Sequence, residues 1–357
     1  MRIVLLALAA SVAPAPLMAQ APQPIAPQAE AKAPFVRAEA EAVVKQLATL
    51  IEENFVFPDK AQAYAAKLRS RLAAGAYASF PDADAFADAV TADLQAVHSD
   101  RHLRVSPPRP AAAGTQGQPA RRGPPPGFKF ISKSGWLADG VAYIRFEAFP
   151  GNEPVLAELR SFIAKHKDAK SLIIDARTHR GGGLAEMDVL FPELFSKETV
   201  LVGMDTREAV DKREGSPMED AKLRLVKGPA GVVRREHYVV PAAKASGLRD
   251  AKVYLLTSNR TASAAEHLAL SLKRTGRATL IGETTRGAGH YGGVNDLPHG
   301  YAVFIPVGRT FDPDNNQGWE TVGVKPNVEV PADKALDEAL KLAGVTVSGE
   351  AAIAALK

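Results

Sequence analysis

The sequence predicts an α/β fold with layers of helix around a mostly parallel sheet, on three observations. From residue 128 onward, short apolar runs of strand length recur: VAYIRF at 141–146, SLIID at 171–175 and KVYLL at 252–256. Segments with helical spacing of apolar residues lie between them, at 153–166, 186–195 and 263–275. Apolar strands separated by helices bury both faces of a sheet, which is the pattern of parallel strands joined by crossover helices. The third observation is bulk: 46% of the 357 residues are hydrophobic, enough for a sizeable core. With no cysteine in the chain, that core carries the stability. Cysteine nucleophiles, thiolate zinc sites and iron–sulfur clusters are thereby excluded.

The elements follow in chain order. Met1-Arg2, the apolar run 3–10 and Leu17-Met18-Ala19 before Gln20 form a signal-peptide pattern over residues 1–19, so the mature chain is expected to start near Gln20 and to be exported, to the periplasm or outside the cell. Residues 20–34 are rich in Ala, Pro and Gln and read as a linker. Residues 35–105 read as a small helical domain. Val43, Val44, Leu47 and Ile51 share one helical face; Tyr64 and Leu68 mark a second helix; Phe86, Val90 and Leu94 mark a third. The Pro- and Gly-rich stretch 106–127 reads as a connector. The α/β domain is expected over 128–345, with further strands at 200–205, 237–240, 278–282 and 301–307 and a closing helix at 333–342; residues 346–357 read as a tail.

The formal net charge of +4 is too small and dispersed to point to nucleic acid. The N-terminal apolar run is too short for a permanent membrane span. Chemistry concentrates on loops. In open α/β sheets ligands bind beyond the carboxyl ends of the strands. Two such loops stand out: Asp175 to Gly183, with Gly181, Gly182 and Gly183 in a row, and the turn leading to Ser263. Ser263 sits where a helix begins, and unpaired N–H groups there suit a developing oxyanion. Ser263-Ala-Ala-Glu266 is equally an S-x-x-E capping box, which requires no catalysis. A base is available among the loop histidines His98, His102, His290 and His299, and Glu320 lies in a late Gly/Trp loop. His98 and His102 have zinc-ligand spacing, but Arg101 between them opposes a cation and the glutamate of a zinc hydrolase helix is missing, so no metal and no cofactor is expected.

Taken together these motifs resemble peptidase family S41, the tail-specific proteases. The resemblance rests on Asp175-Ala-Arg177 before Gly181-Gly182-Gly183, on Thr257-Ser-Asn-Arg-Thr261-Ala-Ser263-Ala-Ala-Glu266, and on Gly276-Arg-Ala-Thr-Leu-Ile-Gly282-Glu-Thr-Thr285, in that order. It implies a crotonase/ClpP-like layered α/β catalytic domain with a small N-terminal helical domain. One branch of the family uses a serine/lysine dyad; Ala288 stands where that lysine would be, and the chain leaves no room for a PDZ domain. The other branch resembles interphotoreceptor retinoid-binding protein and the tricorn core. Asp100-Arg-His102-Leu-Arg-Val105 matches its histidine segment and Trp319-Glu320 its glutamate segment.

The resemblance therefore implies Ser263, His102 and Glu320 as the catalytic set, with Ala264, Gly181 and Gly182 supplying oxyanion donors. Arg177, His179, Arg180 and His290 are candidates for substrate binding, His179 standing where the family often has asparagine. The implied activity is hydrolysis of peptide bonds near polypeptide C-termini, with a peptide or protein as partner. Two alternatives stay open: a non-catalytic carrier of an apolar ligand or peptide, and an acyl or ester hydrolase. The oligomeric state is not readable from the sequence.

Overall fold

The computed structural model describes residues 32–108, 125, 127–216, 218, 222–244 and 246–356. The expected signal peptide, the linker up to residue 31 and most of the 106–127 connector lie outside the described residues.

Three helices come first: α1 (Arg37–Asn54), α2 (Pro58–Ala73) and α3 (Ala83–Val97). Pro58 opens α2 at a position whose N–H needs no partner, and the Asp82 carboxylate caps α3 by accepting the Ala85 N–H at 2.8 Å. The chain continues through β1 (Arg104–Ser106), β2 (Ile131–Ala138), β3 (Val141–Phe146), α4 (Glu153–Lys165), β4 (Ser171–Asp175), α5 (Ala185–Leu194), β5 (Thr199–Arg207), α6 (Glu208–Glu214), β6 (Leu223–Val226) and β7 (Val232–Val239). It closes with β8 (Lys252–Thr257), α7 (Ala264–Arg274), β9 (Thr279–Gly282), β10 (His290–Asp296), β11 (Ala302–Phe311), β12 (Val328–Glu329), α8 (Ala335–Leu342) and α9 (Gly349–Ala354).

The strands form two sheets. The first runs β12-β9-β8-β4-β3-β2, parallel throughout except for the β2–β3 pair. Its central strands alternate between two cores. Leu172, Ile174, Val253 and Leu255 face α4, α5 and α7, while Ile173, Tyr254 and Leu256 face α8 and α9. Both faces are covered, which is why these strands read as unbroken apolar runs.

The second sheet corrects the expectation of one mostly parallel sheet. It runs β1-β11-β5-β7-β6, with β10 also on β11, and every pair is antiparallel. Much of it was hidden in sequence by charge. In β7, Arg234 and Arg235 are half-buried because Asp205 and Asp211 pair with them at 2.6 Å, so the strand starts at Val232 and not at 237.

The helical segment rests on the second sheet. Leu47, Ile51, Phe86 and Leu94 share one core with Val105 on β1 and with Val303 and Ile305 on β11. The helices use the second sheet as the surface that buries their apolar stripes, so residues 35–105 and the α/β layers form one body. Past residue 345 the chain is no free tail: α9 packs Ala352, 2% exposed, beneath the first sheet.

Candidate active site

The adjacent parallel strands β4 and β8 deliver the two suspect loops side by side. Cross-loop hydrogen bonds lock them. Thr261 Oγ1 donates to the Ala176 carbonyl at 2.8 Å, Ser258 Oγ to the Arg177 carbonyl at 2.6 Å, and the Ala262 N–H to the His179 carbonyl at 3.1 Å.

Ser263 is the N-cap of α7, at φ 56° and ψ −119°. A side chain other than glycine's is strained in that region, by about 1–3 kcal/mol. Half of the capping box is realised: the Glu266 carboxylate accepts the Ser263 N–H at 2.9 Å. The Ser263 hydroxyl makes no cap bond. The Glu266 N–H instead reaches the Ser263 carbonyl at 2.7 Å. The Ala264 and Gly182 N–H groups have no acceptor among the described residues, and both residues line the same small cavity as Ser263.

Gly181 differs from the expectation. Its N–H donates to His179 Nδ1 at 3.0 Å and so is not available to an oxyanion. The residue is glycine for another reason. At φ 107° a Cβ there would stand 2.8 Å from Ser263 Cβ. His179 is likewise no substrate ligand. It is fully buried, edge-on to Phe149 at 4.2 Å between ring centroids, and its role is to hold the glycine loop. Arg177 is also withdrawn from substrate, since it clamps the buried Asp175 carboxylate at 2.7 and 2.9 Å and donates to the Ala332 carbonyl. Arg180 alone of the two arginines is exposed beside the glycine loop.

Burial holds the His179 pKa down to about 3 from an ordinary 6.5. The unfolded chain takes up this proton below pH 6.5 and the folded one does not until about 3. The stability is therefore complete above that unfolded value and lost as pH falls through the interval, by up to about 1.4 kcal/mol per pH unit. His179→Asn, whose amide oxygen can still accept the Gly181 N–H, is expected to flatten the fall in urea-denaturation stability on acidification by about one proton. An unchanged slope would refute the assignment.

Two carboxylates organise the histidines. Asp100 is fully buried; its Oδ1 accepts the His102 and Leu103 N–H groups at 2.9 and 3.1 Å, and its Oδ2 takes His290 Nδ1 at 2.6 Å. Burial works to raise the Asp100 pKa, but the bond and charge of His290 and the two backbone donors bring it below the usual carboxylate value. Glu320 joins the loops: Oε1 accepts the Arg101 N–H at 2.7 Å, and Oε2 the Gly289 and His290 N–H groups at 2.6 and 3.2 Å. A ring nitrogen of His102 and oxygens of Asp100 and Glu320 lie within 4.8 Å of one another. Even so, His102 makes no side-chain hydrogen bond among the described residues, and its Nδ1 is buried without a partner. Burial lowers the His102 pKa, against the pull of Glu320 and Asp100. Helix α3 ends at Val97, so His98 and His102 never share a helical face.

The cavity at Ser263 is narrow, about 20 Å³, and is bordered by Leu184, Met204, Met218, His267, His290 and Trp319 among others. His290 belongs to its wall and His102 does not. Ala288 is also in the wall, so no lysine ammonium faces the serine from that position. His267, on α7, is buried, yet it borders the cavity. Its Nε2 meets His237 Nδ1 at 2.8 Å, and His237 Nε2 meets Asp188 at 3.0 Å. Burial, then the neighbouring His237, keeps the His267 pKa well below the ordinary value. A larger cavity, about 520 Å³, lies along β2 and Leu356, and none of the candidate residues borders it.

The sequence profile of peptidase family S41 matches residues 140–330, more than half of the chain. The chain belongs to peptidase family S41. A second profile, the N-terminal domain of peptidase S41 in eukaryotic IRBP, matches residues 29–129. Among S41 relatives, the carboxyl-terminal-processing peptidase 3, chloroplastic, of Arabidopsis thaliana is 29% identical over 190 residues, 53% of this chain and 31% of that protein. The match thus spans about a third of that relative's length. The photosystem II D1 C-terminal processing protease superposes with a TM-score of 0.51 at 16% identity, over 82% of this chain and 93% of that one. The tricorn protease gives 0.51 at 14% identity, over 89% of this chain and 36% of that one. These two likenesses are of fold.

Proposed function

We propose that the protein is an exported serine peptidase that cleaves peptide bonds near polypeptide C-termini. One observation carries this reading: a serine in a strained backbone conformation, its hydroxyl unused by the helix cap, beside two N–H groups without acceptors. The Ser263 Oγ attacks the peptide carbonyl while an imidazole takes its proton. The oxyanion forms between the Gly182 and Ala264 N–H groups, the second at the positive end of α7. Collapse expels the amine, which leaves with the proton held by the imidazole. Water then hydrolyses the acyl-enzyme. Glu320 stabilises this arrangement through backbone amides, joining the segment of Asp100 to that of His290. The C-terminal preference is supported by the likeness to carboxyl-terminal-processing peptidases, and exposed Arg180 is suited to receive a substrate carboxylate.

The cavity at Ser263 does not suit a bulky apolar ligand, because sites for such ligands enclose about 300–1,000 Å³ and this one about 20 Å³. A fluorophosphonate probe tests the reading. The mature protein should be labelled, with the modification mapped to Ser263 by mass spectrometry; a folded, unlabelled sample would sink it. Turnover of matched peptide and ester substrates separates a peptidase from an ester hydrolase.

Export rests on the N-terminal sequence. Among the described residues no helix is long and apolar enough to cross a membrane. Expressed with its full N-terminus in a bacterium, the protein should be recovered from the periplasm or medium beginning near Gln20, as N-terminal sequencing would read. Recovery of the intact Met1 form from the cytosol alone would contradict export.

A further inference from the structure

We infer that His267 determines specificity at the serine site. With Trp319 it lines the space that takes the side chain on the acyl side of the cut bond, and it selects a small hydroxyl there, that of serine or threonine. The inference rests on the serine reading above and names a substrate class for that site.

Position comes first. His267 lies one turn along α7 from Ser263, its N–H donating to the Ser263 carbonyl at 3.0 Å, and it borders the same cavity as Ser263, Gly182 and Ala264. In the acyl-enzyme the carbonyl carbon is bonded to Ser263 Oγ, with its oxygen toward the Gly182 and Ala264 N–H groups. The side chain one carbon further on therefore enters space close to all three residues, and the cavity is such a space. Its volume of about 20 Å³ admits about one water-sized group. That suits a hydroxymethyl side chain and not a leucine or a phenylalanine.

The direction of hydrogen bonding is set behind the ring. Asp188, on α5, accepts the Lys222 N–H at 3.0 Å with Oδ2 and meets His237 Nε2 at 3.0 Å with Oδ1. A carboxylate only accepts, so His237 carries its proton on Nε2. Neutral His237 then offers a lone pair from Nδ1, and the 2.8 Å contact with His267 Nε2 places a proton on that nitrogen. His267 Nδ1 is thereby left as an acceptor, and it makes no hydrogen bond among the described residues. Burial keeps this ring neutral.

Trp319 supplies the complement. It borders the same cavity, its ring 6.4 Å from that of His267 between centroids, and its Nε1–H is buried without an acceptor among the described residues. Two other polar groups of the wall are engaged elsewhere: the Tyr291 hydroxyl with Thr206 and the Asp205 carbonyl, and His290 Nδ1 with Asp100. A hydroxyl is the smallest side-chain group that can donate to His267 Nδ1 and accept from Trp319 Nε1–H at once.

The test begins with the mature wild-type protein and a peptide mixture from a digested proteome, the cuts being mapped by mass spectrometry. Serine and threonine should be enriched on the acyl side of the cut. The best-cut sequence is then synthesised with serine or with 2-aminobutyrate at that position, the second having a methyl group in place of the hydroxyl. Wild type should favour serine by more than about fivefold in kcat/KM. Asp188→Asn tests the relay without touching the wall. The Lys222 N–H can only donate, so the amide oxygen stays with it and the NH₂ turns to His237. Both histidines then change tautomer, and His267 Nδ1 becomes a donor. The serine preference should fall at least about threefold in this variant and in His267→Leu; if His267→Leu does not fold, Asp188→Asn decides. No enrichment, a smaller wild-type preference, or a preference that survives in folded Asp188→Asn overturns the inference and leaves the serine reading standing. Folded wild type that cuts nothing and takes no fluorophosphonate at Ser263 overturns the serine reading, and the inference with it.

Discussion

Replacing Ser263 by alanine is expected to lower peptide turnover by about 10⁴-fold or more, with stability within about 0.5 kcal/mol of wild type. The two halves of this expectation have separate causes. Turnover falls because the nucleophile is gone, leaving only the oxyanion donors and substrate binding. Stability holds because the hydroxyl makes no cap bond and the methyl group left behind keeps the same backbone strain. Ser263→Gly extends the argument. It should be equally inactive, yet more stable by about 1 kcal/mol. Relief of the strain at φ 56°, about 1–3 kcal/mol, outweighs the roughly 0.5–1 kcal/mol that glycine loses in added freedom of the unfolded chain. Urea titrations read the stability and a peptide assay the turnover. A glycine variant less stable than the alanine variant would show that the conformation of residue 263 is not strained.

Glu266→Gln is expected to destabilise the protein by about 2–5 kcal/mol and to lower activity with it. The fully buried Glu266 carboxylate accepts four hydrogen bonds: Oε1 from Thr285 Oγ1 and the Gly287 N–H, both at 2.6 Å, and Oε2 from the Ser263 and Ala288 N–H groups at 2.9 and 2.8 Å. A glutamine oxygen can accept two of these, and its NH₂ would face the other two donors head-on. Each orphaned N–H costs about 1–3 kcal/mol. The same carboxylate also ties the serine turn to the 285–288 loop, beyond which His290 lies, so its loss should disturb catalysis before the protein unfolds. The measurement is the urea midpoint at unchanged slope, together with turnover well below that midpoint. A midpoint shift equivalent to less than about 1 kcal/mol would mean that Glu266 serves as an ordinary helix cap.

Glu266 also illustrates how far local sequence reasoning reaches. The S-x-x-E spacing identifies a helix start, and α7 begins there. It cannot reveal that the same glutamate collects three further donors from a loop about twenty residues away. His290 presents the same difficulty. In sequence it is one histidine in a glycine-rich loop, and its acid partner is 190 residues earlier. Nothing in the spacing along the chain links Asp100 to it, whereas Asp100 stands two residues from His102 and invites the local pairing. Arg177 and His179 were placed near the site because they flank the glycines, and they do lie there. Their direction, inward to Asp175 and to Gly181, is set by packing.

What the sequence by itself determined is what depends on local periodicity and on runs of like residues. It defines the apolar strands of the parallel sheet, the three helices whose stripes repeat at helical spacing, the glycine loop and the serine at a helix start. The order of its motifs was enough to indicate the S41 family. The tertiary structure decided the rest: the second, antiparallel sheet, whose charged strand β7 is half-buried because acids on β5 and α6 pair with its arginines; the single core shared by that sheet and the helices; and the partners of each histidine. Those outcomes depend on contacts between residues far apart in the chain, where burial makes every unpaired polar group costly and so selects one arrangement of donors and acceptors.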